Sequence, residues 1–274
     1  MTNWRVSRAR QVARLVEEFL PDRHAGQAED LNLVAKKLGA LDIIYGARQV
    51  QGFTRWTSRG PTICLQMSRS DGRRRFSLAH ECGHLIVDPA TNSEIHPMAG
   101  QAGWPDLSIG ARALITELVS EGKEEWLCDS IAAELLLPLK EIQDLAGSPH
   151  TLQWVREFAS QRRVSLSMFT IRFNEIGRGD DFCLIRLRRS RMDRWSIVDK
   201  IGTPVEWRGL VKVEDESNDR LNGMSDGYST ESVLLSNAIN LALVDAQVYK
   251  RAYSAILLVP IRDFAYDDSV DGRN

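Results

Sequence analysis

Apolar positions recur at helical spacing through most of the first 177 residues. Over 6–19 they run up to Pro21, which predicts a first helix. Leu31, Val34, Ala35 and Leu38 share one side of a second, with Gly39 just beyond its end. The pattern then shortens: Ile43 and Ile44, then Val50, Phe53 and Trp56, then Thr62 to Leu65 predict short strands separated by turns at Gly46, Gly52 and Gly60. Helical periodicity returns over 76–89, FSLAHECGHLIVDP, and over 124–138, EEWLCDSIAAELLLP. In the second stretch Leu127, Ile131, Ala132 and Leu135 form an apolar stripe that Pro138 ends. A short helix over 111–119 leads into it, and further helices follow over 139–145, 152–159 and 164–177. The last two flank a turn at Arg162 and Arg163, a helix-turn-helix character.

From Asp181 the period changes. Residues 182–189 alternate as a strand does, and 195–201 and 210–213 read as others, with Glu214, Asp215, Glu216 and Asp219 in an exposed loop. Residues 233–248 predict a helix; 254–261 predict an apolar strand whose Pro260 favours an edge or a strand end. The expectation is an α+β protein: a core over 1–138, a small helix-turn-helix-like element over 139–177 and a small mixed α/β domain over 178–274.

Composition narrows the setting more than the chemistry. With 35 basic and 37 acidic side chains the chain has no global field to draw it onto DNA or an anionic membrane. No apolar run approaches the roughly 18 residues of a spanning helix, and the start MTNWRVSRARQ lacks a signal-peptide core, so a cytoplasmic protein without a membrane partner is expected. Cys64, Cys82, Cys128 and Cys183 show neither CxxC pairing nor zinc-ribbon spacing. They predict free thiols, three of them in apolar patterns as small buried hydrophobes, and no disulfide.

The chemistry lies in 76–89. His80 and His84, four apart, are neighbours on one helix face and can converge on one metal ion, while Glu81 beside them can reach a water that the metal activates. Gly83 costs about 1 kcal/mol of helix propensity relative to alanine, so its place calls for a close approach, by another backbone or by a peptide. A catalytic zinc site needs a third protein ligand. Glu125, near the apolar stripe of the next helix, fits that place, with Glu124 competing for it; Asp129, one turn on, is placed to hydrogen-bond a ligand imidazole.

The strings RRRFSLAHECGHLI and EEWLCDSIAAELLLP resemble the paired signatures of the ImmA/IrrE family of metallopeptidases over about 31–177. Cys82, Cys128 and Ile131 replace residues more usual in that pattern. The resemblance implies a zincin-like core with metal ligands His80, His84 and Glu125, general base Glu81, and Asp129 at the family's acidic or amide position. It implies one zinc ion per chain, with Mn2+ as the other candidate. It further implies a zinc metallo-endopeptidase whose protein substrate is a helix-turn-helix transcriptional repressor of a stress or prophage programme. Some members carry a GAF-type sensor domain where 178–274 lies.

Other stretches leave alternatives open. The strand over 63–67 is expected at a sheet edge beside the metal helix, where an extended substrate can pair with it. The run Arg73, Arg74, Arg75 reads either as a solvated face or as an anchor for a carboxylate near the site, the solvated reading fitting Arg75 least because it abuts the apolar start of the helix. Residues 88–110, with His96 and Trp104, form a loop that either shapes a cleft or is disordered. The helical pair either binds DNA or buttresses the core, and the basic cluster over 186–194 either holds a nucleic acid or partner or pairs with the acidic loop. The rival function is therefore a zinc-containing regulatory or nucleic-acid-binding protein with little or no proteolysis.

Overall fold

The computed structural model describes residues 2–20, 30–46, 52–67, 71–91, 107–145, 151–175, 182–201, 212–236, 241–252 and 254–260. The chain divides into two compact units, Met1–Ala146 with Ala159–Ser165, and Gly147–Phe158 with Leu166–Asn274. No helix of the described residues is long and apolar enough to cross a membrane.

Unit 1 opens with α1 (Thr2–Phe19) and α2 (Leu31–Lys37). Asp30 caps α2 by accepting from the Asn32 amide at 3.0 Å. Gly39, with φ of 90°, turns the chain out of it in the left-handed conformation that costs glycine nothing. A three-stranded sheet follows: β1 (Asp42–Gly46), β2 (Gly52–Thr57) and β3 (Gly60–Gln66), in the order β1-β3-β2. The strand expected at the edge is thus the centre of its sheet. β3 pairs in parallel with β1 and antiparallel with β2, and Ile63, Cys64 and Leu65 are buried in succession, as suits a strand covered on both faces.

The core of unit 1 is a helix pair. α3 (Asp71–Thr91) packs along α5 (Glu124–Leu136), with α4 (Ile109–Ser120) beside them and α6 (Leu139–Leu145) after Pro138. Leu78, Ala79, Cys82, Leu85 and Ile86 of α3 are buried, as are Leu127, Cys128, Ile131, Ala132 and Leu135 of α5. Each large aliphatic side chain so placed contributes roughly 1.5–3 kcal/mol. Gly83 marks the closest approach: a Cβ there would lie 2.8 Å from Cys128 Cα. The neighbour that demands glycine is therefore the backbone of α5. Ser108 caps α4, accepting from the Ala111 amide at 3.2 Å, and its hydroxyl donates to Glu18 of α1 at 2.7 Å. Buried Glu134 accepts from the Leu139 amide at 3.0 Å and so starts α6.

In unit 2 a six-stranded antiparallel sheet has the order β5-β4-β9-β8-β7-β6. Its strands are β4 (Phe182–Arg189), β5 (Trp195–Ile201), β6 (Lys212–Val213), β7 (Gly227–Ser236), β8 (Leu241–Arg251) and β9 (Ser254–Pro260). Cys183, Ile185 and Leu187 alternate into its core, as the period-two reading requires. Two expectations fail here. Where a helix is expected over 233–248, the described residues are instead parts of β7 and β8, paired antiparallel from Gly227↔Lys250 to Ser236↔Leu241. A run of apolar residues fits either period, and the partner strand supplies the hydrogen bonds that decide it. The acidic stretch expected as a loop is α9 (Asp215–Gly223), which buries Ser217, Asn218 and Leu221 and leaves its acids outward.

The helix-turn-helix-like pair is α7 (Leu152–Gln161) and α8 (Leu166–Asn174). Trp154, Phe158, Phe169 and Phe173 pack ring against ring within unit 2, Trp154 on Phe158 and Phe169 on Phe173 stacked, and Phe169 edge-on to Trp154 and Phe158. Arg172 of α8 is 1% exposed and pairs with Glu175 at 2.5 Å, while Ile171 is the exposed residue of the helix. Around the basic cluster, Arg189 pairs with Asp193 and Arg194 with Asp215.

Candidate metal centre

Helical spacing on α3 and α5 brings the expected residues together. His80 and His84 stand one turn apart with ring centroids at 5.1 Å. Across from them, the Glu125 carboxylate lies 3.3 Å from His80 Nε2 and 3.6 Å from His84 Nε2. One atom of each residue lies within 4.8 Å of the others, a set that can hold a metal ion. The imidazoles are about one-sixth exposed and Glu125 is open to solvent.

Each ring is held at its other nitrogen. His80 Nδ1 is 2.8 Å from Asp129 Oδ1, the position expected for Asp129. His84 Nδ1 faces Asp88 Oδ1 at 3.4 Å and Glu124 Oε1 at 3.5 Å. The two glutamates that spacing left in competition are thus sorted by ring face: Glu125 lies on the Nε2 side of both imidazoles, and Glu124 at Nδ1 of one. A carboxylate at Nδ1 fixes the proton there and leaves Nε2 with its lone pair. The acids also raise the histidine pKa values. For His84 the hydrogen bond to Asp88 comes first and carries it to about 11; for His80 the pull of Asp129 overcomes burial. A second group that can hold a metal, His84, Asp88 and Glu124, shares His84 with the first.

Glu81 is 4% exposed and points to β2. Its Oε2 accepts from the Thr54 hydroxyl at 2.9 Å, and a Cβ at Gly52 would come within 2.9 Å of its Oε1. Burial pushes its pKa upward, against the Thr54 hydrogen bond and the neighbouring histidines. Asp88 reaches the same strand: its Oδ2 accepts from Trp56 Nε1 at 2.9 Å.

Sequence reasoning passed over Asp88, Thr54, Trp56 and Gly52. Asp88 carried a readable signal, since it stands four residues after His84. The strand residues carried only their alternation, which gives a common face without naming its partner. Arg75 pairs with no carboxylate at this centre; its Nε is buried without a hydrogen-bond partner, and it lines a polar pocket with Asp30, Asp71 and Arg163. His24, His96 and His150 and most of the expected loop over 88–110 lie outside the described residues.

Cys128 is buried against His84, and burial carries its thiol up to about 11. All four cysteines are free and buried, so the donors at the centre are nitrogen and oxygen.

Residues 45–174 match the IrrE N-terminal-like domain, Peptidase_M78. No curated protein matches the chain. Among solved structures, one described as a Mycobacterium tuberculosis transcriptional regulator is similar over 92% of this chain and 74% of its own, at 12% identity and a TM-score of 0.48. At that distance the likeness carries no functional argument.

Proposed function

We propose, for a chain whose residues 45–174 belong to the IrrE N-terminal-like domain family, that unit 1 is a zinc-dependent metallo-endopeptidase. The observation that carries this reading is the sorting of the ring nitrogens. Both Nε2 atoms face the Glu125 carboxylate while both Nδ1 atoms face other acids. Two imidazoles and one carboxylate, with room on the solvent side, make the donor set of a catalytic zinc site, and the imidazoles favour zinc over Mn2+.

Zinc bound there would supply Lewis acidity, making water more acidic and a peptide carbonyl more electrophilic. The protein's own part falls to Glu81. Its buried carboxylate takes a proton from water as the new C–O bond forms, and returns it to the departing amine when the C–N bond breaks. The upward shift of its pKa suits both halves of that exchange. Thr54 keeps one oxygen occupied and leaves the other for the proton. Asp129 holds His80 in the tautomer that offers Nε2.

The substrate we assign is a helix-turn-helix transcriptional repressor, in the cytoplasm, on the strength of the family. We take unit 2, with its antiparallel sheet, as a GAF-like sensor module. The rival reading, nucleic-acid binding through α7 and α8, is weakened by the burial of Arg172.

The test is zinc analysis of the dialysed protein together with incubation against helix-turn-helix repressors encoded near its gene, parent beside Glu81→Gln. The glutamine keeps the volume and hydrogen bonding but cannot take the proton, so cleavage should fall by about 10²–10⁴ with zinc content unchanged. Cleavage at the parental rate by zinc-loaded Glu81→Gln protein would remove Glu81 from the mechanism.

A further inference from the structure

We propose that Asp88 and Trp56 form a clamp that sets the orientation of His84, making them a positioning pair for the centre; this rests on the metallopeptidase reading above. Asp88 divides its two oxygens. Oδ1 faces His84 Nδ1 at 3.4 Å, and Oδ2 accepts the indole N–H of Trp56 at 2.9 Å. The aspartate is thereby tied to β2 as well as to its own helix, and the imidazole cannot turn about its ring axis without giving up its acceptor.

The strand is built for this contact. Gly52, Thr54 and Trp56 alternate along β2 and so share one face. All three meet α3: Gly52 leaves space for the Glu81 carboxylate, Thr54 bonds it, and Trp56 bonds Asp88. Pairing of Thr54 with Ile63 and Trp56 with Pro61 fixes the register, and a slip of one residue would turn the whole set away from the helix. One strand face therefore sets both Glu81 and the backing of His84.

The same carboxylate belongs to the second possible metal group, His84, Asp88 and Glu124. Two facts favour the clamp. A neutral imidazole has a single lone pair, so His84 cannot serve an ion at Nδ1 and another at Nε2 without losing its last proton. Asp88 also already accepts a directed N–H from Trp56, which suits an acceptor shared between two N–H donors.

The test needs no peptide substrate. Zinc affinity is measured by chelator competition on the full chain for the parent, Asp88→Ala, Asp88→Asn and Trp56→Phe, with the visible spectrum of the Co2+-substituted proteins recorded beside it. Asp88→Ala should bind one zinc about 10–100-fold more weakly than the parent, the range for an outer partner of a ligating histidine. Asp88→Asn, whose amide oxygen still accepts from Nδ1, should recover part of that loss. Trp56→Phe keeps an aromatic side chain but deletes the indole N–H donor together with its five-membered ring; it should weaken zinc in the same direction by less and shift the Co2+ bands. It also keeps the idea testable if Asp88→Ala fails to fold. Parental affinity and an unchanged Co2+ spectrum in both Asp88→Ala and Trp56→Phe would overturn the clamp while leaving the zinc site standing. Two zinc ions in the parent, with one lost in Asp88→Ala, would overturn it in favour of the second metal group. A parent that binds no zinc would sink the metallopeptidase reading itself, and the clamp with it.

Discussion

In unit 2 the buried side chains of Asn218, Arg172 and Lys250 each meet a specific partner. Asn218 accepts from the Trp195 amide at 2.6 Å and donates to the carbonyls of Val213 and Glu214. Arg172 meets Glu175, and the Lys250 ammonium donates to the Met224 carbonyl. In unit 1 the polar groups of the α3–α5 face are arranged otherwise, with two ring nitrogens and a carboxylate turned towards one another on one side. Acceptors that face each other repel unless a proton or a cation stands between them. Burial of polar groups is therefore common to both units, and what singles out the centre is a surplus of lone pairs directed at one place.

The largest expected effect tests that surplus directly. Glu125→Ala removes the carboxylate that is the only one on the shared Nε2 side among the described residues, and its zinc affinity should fall by more than the about 10–100-fold typical of outer partners. Glu124→Ala removes a carboxylate at Nδ1 and should keep full stoichiometry after dialysis. Retention of zinc by Glu125→Ala with loss from Glu124→Ala would reverse the sorting of the two glutamates and break the comparison at its root.

Much of unit 1 was readable because its helices carry their own period. The spacing of His80 and His84, the stripe of Leu127, Ile131 and Leu135, and the stops at Gly39 and Pro138 are local signals that the fold obeys. Gly83 announced a close approach without saying by what, since Cys128 is distant in sequence. The clamp was hidden for the same reason: Trp56 and Asp88 meet across 32 residues. Unit 2 was harder because sheets are made by partners. The stretch over 233–248 has the apolar density of a helix, and only its pairing with neighbouring strands makes it β7 and β8. In α9 the acids read as a loop because its buried face is the short set Ser217, Asn218 and Leu221, mostly polar.

A second effect is the pH dependence of the metal-free protein. His80, His84, Glu81 and Cys128 are all shifted upward in the folded state, His84 and Cys128 to about 11. A group whose folded pKa exceeds its unfolded one binds more protons in the native state, so its stabilisation is complete below the unfolded value and is lost as pH rises through the folded one. For His84 that window runs from the ordinary histidine value of 6.5 to about 11. Thermal melts of chelator-treated protein should therefore fall from pH 7 to pH 10, and Asp88→Asn should flatten the slope by removing the main cause of the His84 shift. A melting temperature that rises over this range would show that protons do not stand in for the cation at this centre.

The smallest effects separate a buried polar side chain from an exposed ion pair within unit 2. Asn218→Ala deletes the acceptor of the buried Trp195 amide, and a donor left without a partner costs about 1–3 kcal/mol. Two carbonyls lose a donor as well, but each has its chain neighbours or solvent to turn to more readily than an amide at the base of a strand. Arg194→Ala breaks only the pair with Asp215, whose side chains are 71% and 83% exposed, and such a pair is worth about 0–1 kcal/mol. Urea melts should rank the variants in that order, while zinc stoichiometry in the folded protein stays at the parental value for both. An Arg194→Ala loss as large as that of Asn218→Ala would mean that the exposed pair holds α9 in place. Zinc lost from either variant would mean that polar burial in unit 2 also serves the centre, and the contrast between the units would no longer hold.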